Sequence, residues 1–294
     1  MKSLFSLLLL ALSAGPASAG QETHSLPRPD GSLIHYSLDT PTGESAGLLV
    51  LAQGSGCQPG AGSANLAIVR AAFPAHTALI VEKSGITPNS AIVDGLTDCP
   101  ADFIATFTLS QRIEDYERVL AHLRPDSMDD VILFGGSEGG LAMEALAARI
   151  RPAAAILLSG SVGGTFEDMV LSTVPAEGKT IVAAGFAEAR ANPDSTLFSG
   201  HTNRFWADSL DHRSSDYLDS SDTPFLLIYG GRDPAAGQNG RVLADRFAAA
   251  GRCNLSYWEF PALDHGMADP AGSSRMGDIA RLAATWAEKP LGAC

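Results

Sequence analysis

The chain has 294 residues, an apolar fraction of 45% and a formal net charge of −13. That composition supplies a sizeable core, enough for one large α/β domain or two ordinary ones. No basic cluster interrupts the acidity, and phosphate binding needs a concentrated positive surface, so a nucleic-acid partner is argued against.

The first twenty residues, MKSLFSLLLLALSAGPASAG, set Lys2 before an apolar run from Leu4 to about Leu12. They end in the small-x-small pattern Ala17-Ser18-Ala19. This predicts a secretory signal peptide over 1–19, cleaved near Ala19, with an apolar run too short to span a membrane. A buried N-terminal helix is the blander alternative. The expected mature chain, 20–294, is exported to a periplasm or beyond and carries no membrane span. Outside the cytoplasm an even cysteine count suggests disulfides rather than a metal site. Cys57, Cys99, Cys253 and Cys294 include no CxxC pair and no zinc spacing. Three connectivities are open to them, with free buried thiols as the alternative.

After the turn signal RPDG, the stretch SLIHYSLDT alternates as a strand does. Six further short apolar runs follow: AGLLVLAQGSG, TALIVEKSG, DVILFGGS, AAAILLSGS, PFLLIYGG and LSYWEFPAL. Each apolar run meets glycine, serine or proline at its end. Several show no alternation, which predicts strands buried on both faces of a parallel sheet. Between them lie helical patterns. SQRIEDYERVLAHL, over 110–123, puts Ile113, Tyr116, Val119, Leu120 and Leu123 at helical spacing behind Ser110 as a cap. GLAMEALAARI, NGRVLADRFAAAG (ending at Gly251, a C-cap) and SSRMGDIARLAATWAE complete the set. Strands alternating with helices predict a doubly wound α/β domain. The interval 160–222 breaks the rhythm with no convincing strand. A structureless loop of that length is improbable in a compact domain, so a mostly helical insertion is expected there, with TIVAAGF ambiguous between strand and helix.

One motif carries chemistry. Gly135-Gly136-Ser137-Glu138-Gly139 matches G-x-S-x-G, a pattern that chance supplies roughly 0.3 times in a chain of this composition. Its context is what counts, because the serine ends a strand and a helix follows at once. That is the setting of a nucleophile elbow, a strained turn that needs small neighbours. A serine hydroxyl requires a base, and the base a carboxylate to orient it. The elbow arrangement orders them serine, acid, histidine along the chain. Asp233 follows the run PFLLIYGG, and His265 follows the run LSYWEFPAL. Asp264, adjacent to the histidine, and Asp222, just before the strand, are the rival acids. Two backbone amides are expected to bind the oxyanion: that of Glu138, after the nucleophile, and that of Ser55 in the loop Gln53-Gly54-Ser55-Gly56-Cys57. The Glu138 side chain is expected to face solvent at the helix N-terminus. Cys57 beside this loop favours pairing with Cys99, and Cys253 before the last strand favours Cys294 after the last helix. Each bridge would close a loop of about 40 residues and contribute roughly 4 kcal/mol.

The ordered set AQGSG, GGSEGG, GGRD and LDHG resembles the α/β-hydrolase superfamily across essentially the whole mature chain. The resemblance implies an eight-stranded, mostly parallel sheet, a Ser137–His265–Asp233 triad, and a lid insertion over 160–222, between the sixth and seventh strands. Members commonly carry histidine where this chain has Gln53. The expected activity is hydrolysis of a carboxylic ester or related small acyl compound through an acyl-enzyme, with no cofactor or metal. A peptidase or acyltransferase using the same triad, and a non-catalytic binding protein on this scaffold, are the alternatives. Phe166, Met169, Val170, Phe198, Phe205 and Trp206 are candidates for an acyl pocket or, individually more in keeping, for the insertion's own small core.

Overall fold

A computed structural model describes residues 18–92, 94–95, 98–124, 126–160, 163–194, 197–198, 201–234 and 237–290. The first half of the chain forms β1 (Ser18–Pro27), β2 (Leu33–Pro41), β3 (Leu48–Ala52), α1 (Ala64–Ala72), β4 (Thr77–Val81), α2 (Ala101–Thr106) and α3 (Leu109–Leu123). Next come β5 (Val131–Gly136), α4 (Glu138–Ile150) and β6 (Ala154–Leu158). The segment between β6 and the next long strand holds α5 (Phe166–Thr173), α6 (Lys179–Ala191), the short pair β7 (Leu197–Phe198) and β8 (His201–Thr202), α7 (Asn203–Ser209) and α8 (Ser214–Asp219). The chain closes with β9 (Phe225–Gly230), α9 (Gly237–Ala249), β10 (Leu255–Phe260) and α10 (Met276–Glu288).

Eight strands make one sheet in the order β1-β2-β4-β3-β5-β6-β9-β10. β1 and β2 run antiparallel to their neighbours, and every other pairing is parallel. The central strands are buried on both faces, as their unbroken apolar runs require. Their side chains alternate between two cores. Val50, Leu133, Leu157 and Leu227 enter the core beneath α3 and α4, while Leu51, Phe134, Leu158 and Ile228 enter the one beneath α1 and α10. β3 and β5 are neighbours although β4, α2 and α3 separate them in the chain. That makes the crevice at their carboxyl ends the switch point where such sheets bind ligands.

Several elements differ from the sequence reading. β1 is an edge strand whose polar run QETHSLP hides its pairing with β2. α3 is capped by Thr108, whose side chain accepts from the Gln111 amide, and the Ser110 amide bonds Asp208 instead. TIVAAGF is helical, inside α6, which buries Phe186 and Ala189 and leaves Ile181 71% exposed. The expected leader falls on residues outside the described ones, save Ser18 and Ala19 in β1. Among the described residues no helix is long and apolar enough to cross a membrane. Cys57 and Cys99 are bridged. Cys253 is also disulfide-bonded, and its expected partner Cys294 lies outside the described residues.

Candidate active site

Ser137 joins β5 to α4 with φ +53° and ψ −124°, a left-handed conformation that a side-chain-bearing residue adopts only under constraint. The constraint is visible in the two glycines that flank it. A Cβ at Gly135 would run into the Gly139 carbonyl, and one at Gly139 into the carbonyls of Ala52 and Gln53. The Ser137 amide donates to Leu158 O at 2.8 Å, which fixes the turn against β6.

Asp233 and His265 come together from the ends of β9 and β10. His265 Nδ1 lies 2.8 Å from Asp233 Oδ2, and the Asp233 side chain is buried while that of His265 is 47% exposed. A carboxylate only accepts, so the neutral imidazole carries its proton on Nδ1. That hydrogen bond raises the His265 pKa above 6.5, against the opposing effect of partial burial. The rival acids are engaged elsewhere. Asp264 Oδ1 accepts from the amides of Gly266 and Ala268, shaping the loop, and Asp222 is exposed at the far end of β9.

Ser137 and His265 line one cavity of about 280 Å³, with Gly54, Ser55 and Ser159 around them and Leu66, Val69, Phe134 and Met276 as apolar wall. A larger hollow of about 540 Å³ lies under α1 at the antiparallel edge. It holds no histidine, and its one acid, Asp39, is ion-paired with Arg70, so it lacks the groups for acyl chemistry. Of the insertion's candidate acyl-pocket residues, Phe166, Met169, Val170, Phe205 and Trp206 do not line the smaller cavity. Phe166, Phe205 and Trp206 are buried in the core under α3 and α4, with Met169 and Val170 packed on it. The Phe198 side chain lies outside the described residues.

Glu138 departs from expectation. Its carboxylate is fully buried rather than solvent-facing, with Oε1 2.7 Å from Arg112 and 3.0 Å from Lys83. Burial alone would raise its pKa, but the two cations hold it down at about 2. Burial pushes Lys83 down to about 8, with Glu138 opposing that fall. His201 stacks on Phe205 near the same cluster, where burial lowers its pKa to about 4 and keeps it neutral.

Three contributors escaped the sequence reading. Lys83 closes the run TALIVEKSG, and Arg112 lies among the apolar positions of α3. A charged residue on the buried stripe of a helix was the available signal. Ser159, also left-handed at φ +50°, ends β6 and donates from Oγ to the His265 carbonyl at 2.9 Å. Among the described residues no group of three or more His, Cys, Asp or Glu side chains is placed to hold a metal ion.

No protein-family model matches the sequence, and no curated protein matches it. Solved structures do match in shape. An open-form lipase superposes with a TM-score of 0.63 at 16% identity, over 92% of this chain and 99% of its own. Est1E from Butyrivibrio proteoclasticus with ferulic acid bound gives 0.59 at 16% identity, over 89% of this chain and 96% of its own. The acylaminoacyl peptidase of Pyrococcus horikoshii gives 0.60 at 13% identity, over 95% of this chain but only 42% of its own. At these identities the likeness is one of fold.

Proposed function

We propose that this chain, an α/β-hydrolase by fold, is a serine hydrolase that cleaves carboxylic esters through a Ser137–His265–Asp233 triad. The observation that carries the reading is the strained Ser137 elbow sharing one cavity with an imidazole whose Nδ1 is already bound to a buried carboxylate. His265 Nε2 then takes the hydroxyl proton as Ser137 Oγ bonds the substrate carbonyl carbon. The tetrahedral oxyanion is held by the Ser55 and Glu138 amides. Collapse expels the alcohol, which receives the proton from His265, and leaves the acyl group on Ser137. Water, deprotonated by the same imidazole, releases the acid and restores the serine. No cofactor enters these steps. The apolar wall of Leu66, Val69, Phe134 and Met276 favours an uncharged acyl group.

The leader over 1–19 and the Cys57–Cys99 bridge support export, since disulfides persist in oxidising compartments. The segment 160–222 is assigned a covering role over the mature domain, 20–294, because it leaves the sheet at the carboxyl end of β6, beside Ser159.

Hydrolysis of p-nitrophenyl esters of graded acyl length, alongside a peptide p-nitroanilide, tests the reading in wild type and Ser137→Ala. Ester turnover should fall by about 10⁴-fold or more in the variant. Anilide cleavage without ester cleavage would favour a peptidase. Silence on every substrate, with no fluorophosphonate labelling of Ser137, would leave a binding scaffold.

A further inference from the structure

We propose that Lys83 is a positioning residue for this reaction, strapping the loop 53–57 so that the Ser55 amide stays aimed at the oxyanion. The inference rests on the serine hydrolase reading and adds to it a residue outside the triad.

The geometry begins with three loop carbonyls that turn toward buried cations. Lys83 Nζ donates to Gly54 O and to Gly56 O, each at 2.8 Å. Arg112 donates from Nη2 to Gln53 O at 2.6 Å. The described chain has no cis peptide, and in a trans peptide the C=O and the following N–H point in opposite directions. Anchoring Gly54 O on Lys83 therefore turns the Ser55 N–H away from the ammonium. Ser55 lines the cavity that also holds Ser137, and we take that cavity as the side its N–H faces. The next anchored peptide obeys the same rule. Gly56 O faces Lys83, and the Cys57 amide of that unit donates the other way, to Gly95 O at 2.8 Å.

The ammonium is saturated by this arrangement. It has three hydrogens and three acceptors: Gly54 O, Gly56 O and Glu138 Oε1. Lys83, Arg112 and Glu138 side chains are 1%, 2% and 0% exposed. Two cations so buried need a counter-charge, and Glu138 supplies it. Glu138 is also the residue whose own amide is the second oxyanion donor. One carboxylate thus ties the Ser55 side of the oxyanion site to the Ser137 side, through groups that never touch substrate. The other groups facing Lys83 are the Phe107 ring, 4.9 Å from Nζ, the Glu82 carboxylate, which accepts from the Gly60 and Ala61 amides, and neutral His201. A neutral lysine would lose one of its three donors and the charge that offsets Glu138. Activity should accordingly decline as pH rises through the lowered pKa of Lys83, about 8.

The test compares wild type, Lys83→Met and Lys83→Arg for kcat and KM on a p-nitrophenyl ester, and for fluorophosphonate labelling of Ser137, from pH 6 to 10. Lys83→Met should lose about 100-fold in kcat and in labelling rate, the scale of one oxyanion donor. Its KM should stay within about threefold, because the interaction is made in the transition state. Lys83→Arg should recover part of kcat and move the alkaline limb beyond pH 10, since guanidinium stays charged. Lys83→Met with wild-type kcat overturns the proposal, as does a loss of kcat, KM and thermal stability together with an unmoved alkaline limb. Should Lys83→Met fail to fold, the wild-type profile decides: an alkaline limb near pH 8 in both turnover and labelling supports the strap, and a flat profile to pH 10 overturns it. Wild type inert to ester and phosphonate alike would sink the hydrolase reading and this inference with it. Active wild type with indifferent Lys83 variants would sink the inference alone.

Discussion

The two ends of the candidate site are held in different ways. At the serine end, Ser137 sits between a strand and a helix buried over its first ten residues, Gly135 and Gly139 two residues to either side have no room for a Cβ, and the buried ion cluster begins at the next residue, Glu138. At the histidine end, His265 is nearly half exposed on a loop and is held by one carboxylate through its ring and one serine hydroxyl through its carbonyl. The difference follows from the roles proposed. A nucleophile and its oxyanion donors must meet one carbon within fractions of an ångström, which favours rigid backbone. A base must move a proton between serine, leaving group and water, and a partly exposed ring on a loop permits that.

Removing the support at the soft end should have the largest effect on rate. Asp233→Asn keeps the shape but loses the charge that orients His265, and kcat should fall by about 10⁴-fold. The sign of the pH effect follows from the raised His265 pKa. Neutral imidazole is the active form, so wild-type activity is lost as pH falls through that pKa, and the acid limb should move to lower pH in the variant. An unmoved limb would mean that another group titrates there.

At the rigid end the expected damage is to stability. Glu138→Ala removes the carboxylate paired with two buried cations and should cost about 3–5 kcal/mol in urea unfolding. Because the folded carboxyl titrates at about 2 instead of 4.5, its contribution is present above pH 4.5 and disappears as pH falls toward 2. A cost under about 1 kcal/mol would show that water reaches the cluster. Replacing both Cys57 and Cys99 by serine opens a loop of 42 residues and should cost up to about 4 kcal/mol on the chain-entropy model. Reduction opens the Cys253 bridge as well, so the denaturation midpoint of reduced protein should fall at least as far. The smallest effect is expected at Ser159→Ala, which frees the His265 carbonyl for about 1 kcal/mol, a fewfold loss in kcat. If Ser159→Ala were as harmful as Asp233→Asn, the histidine end would be as rigid as the serine end and the contrast would collapse.

How much was legible depended on whether the signal was local. The runs GLLVLA, DVILFGG, AAAILLS and PFLLIYG announced central strands because burial on both faces demands unbroken apolar sequence. The glycines around Ser137 announced the elbow because a tight crossing excludes side chains. β1 was not legible: a polar edge strand is defined by its partner β2 rather than by its own residues. Thr108 displaced Ser110 as the cap because both are good caps two residues apart, and tertiary contact with Asp208 took the Ser110 amide. Glu138 read as a solvent-facing charge, and Lys83 and Arg112 drew no reading at all. Their partners are 26 and 55 positions away from the glutamate, so only the folded chain reveals them.

That separation bears on how the protein reaches its working form. Segments around residues 83, 112 and 138 must leave water together, since any one of these charges alone in the core would be costly. Assembly of this region is therefore expected to be all-or-none, with no stable half-built intermediate between open chain and finished cluster. A chain without the finished cluster would carry an ordinary alcohol at position 137, and reactivity would await its assembly.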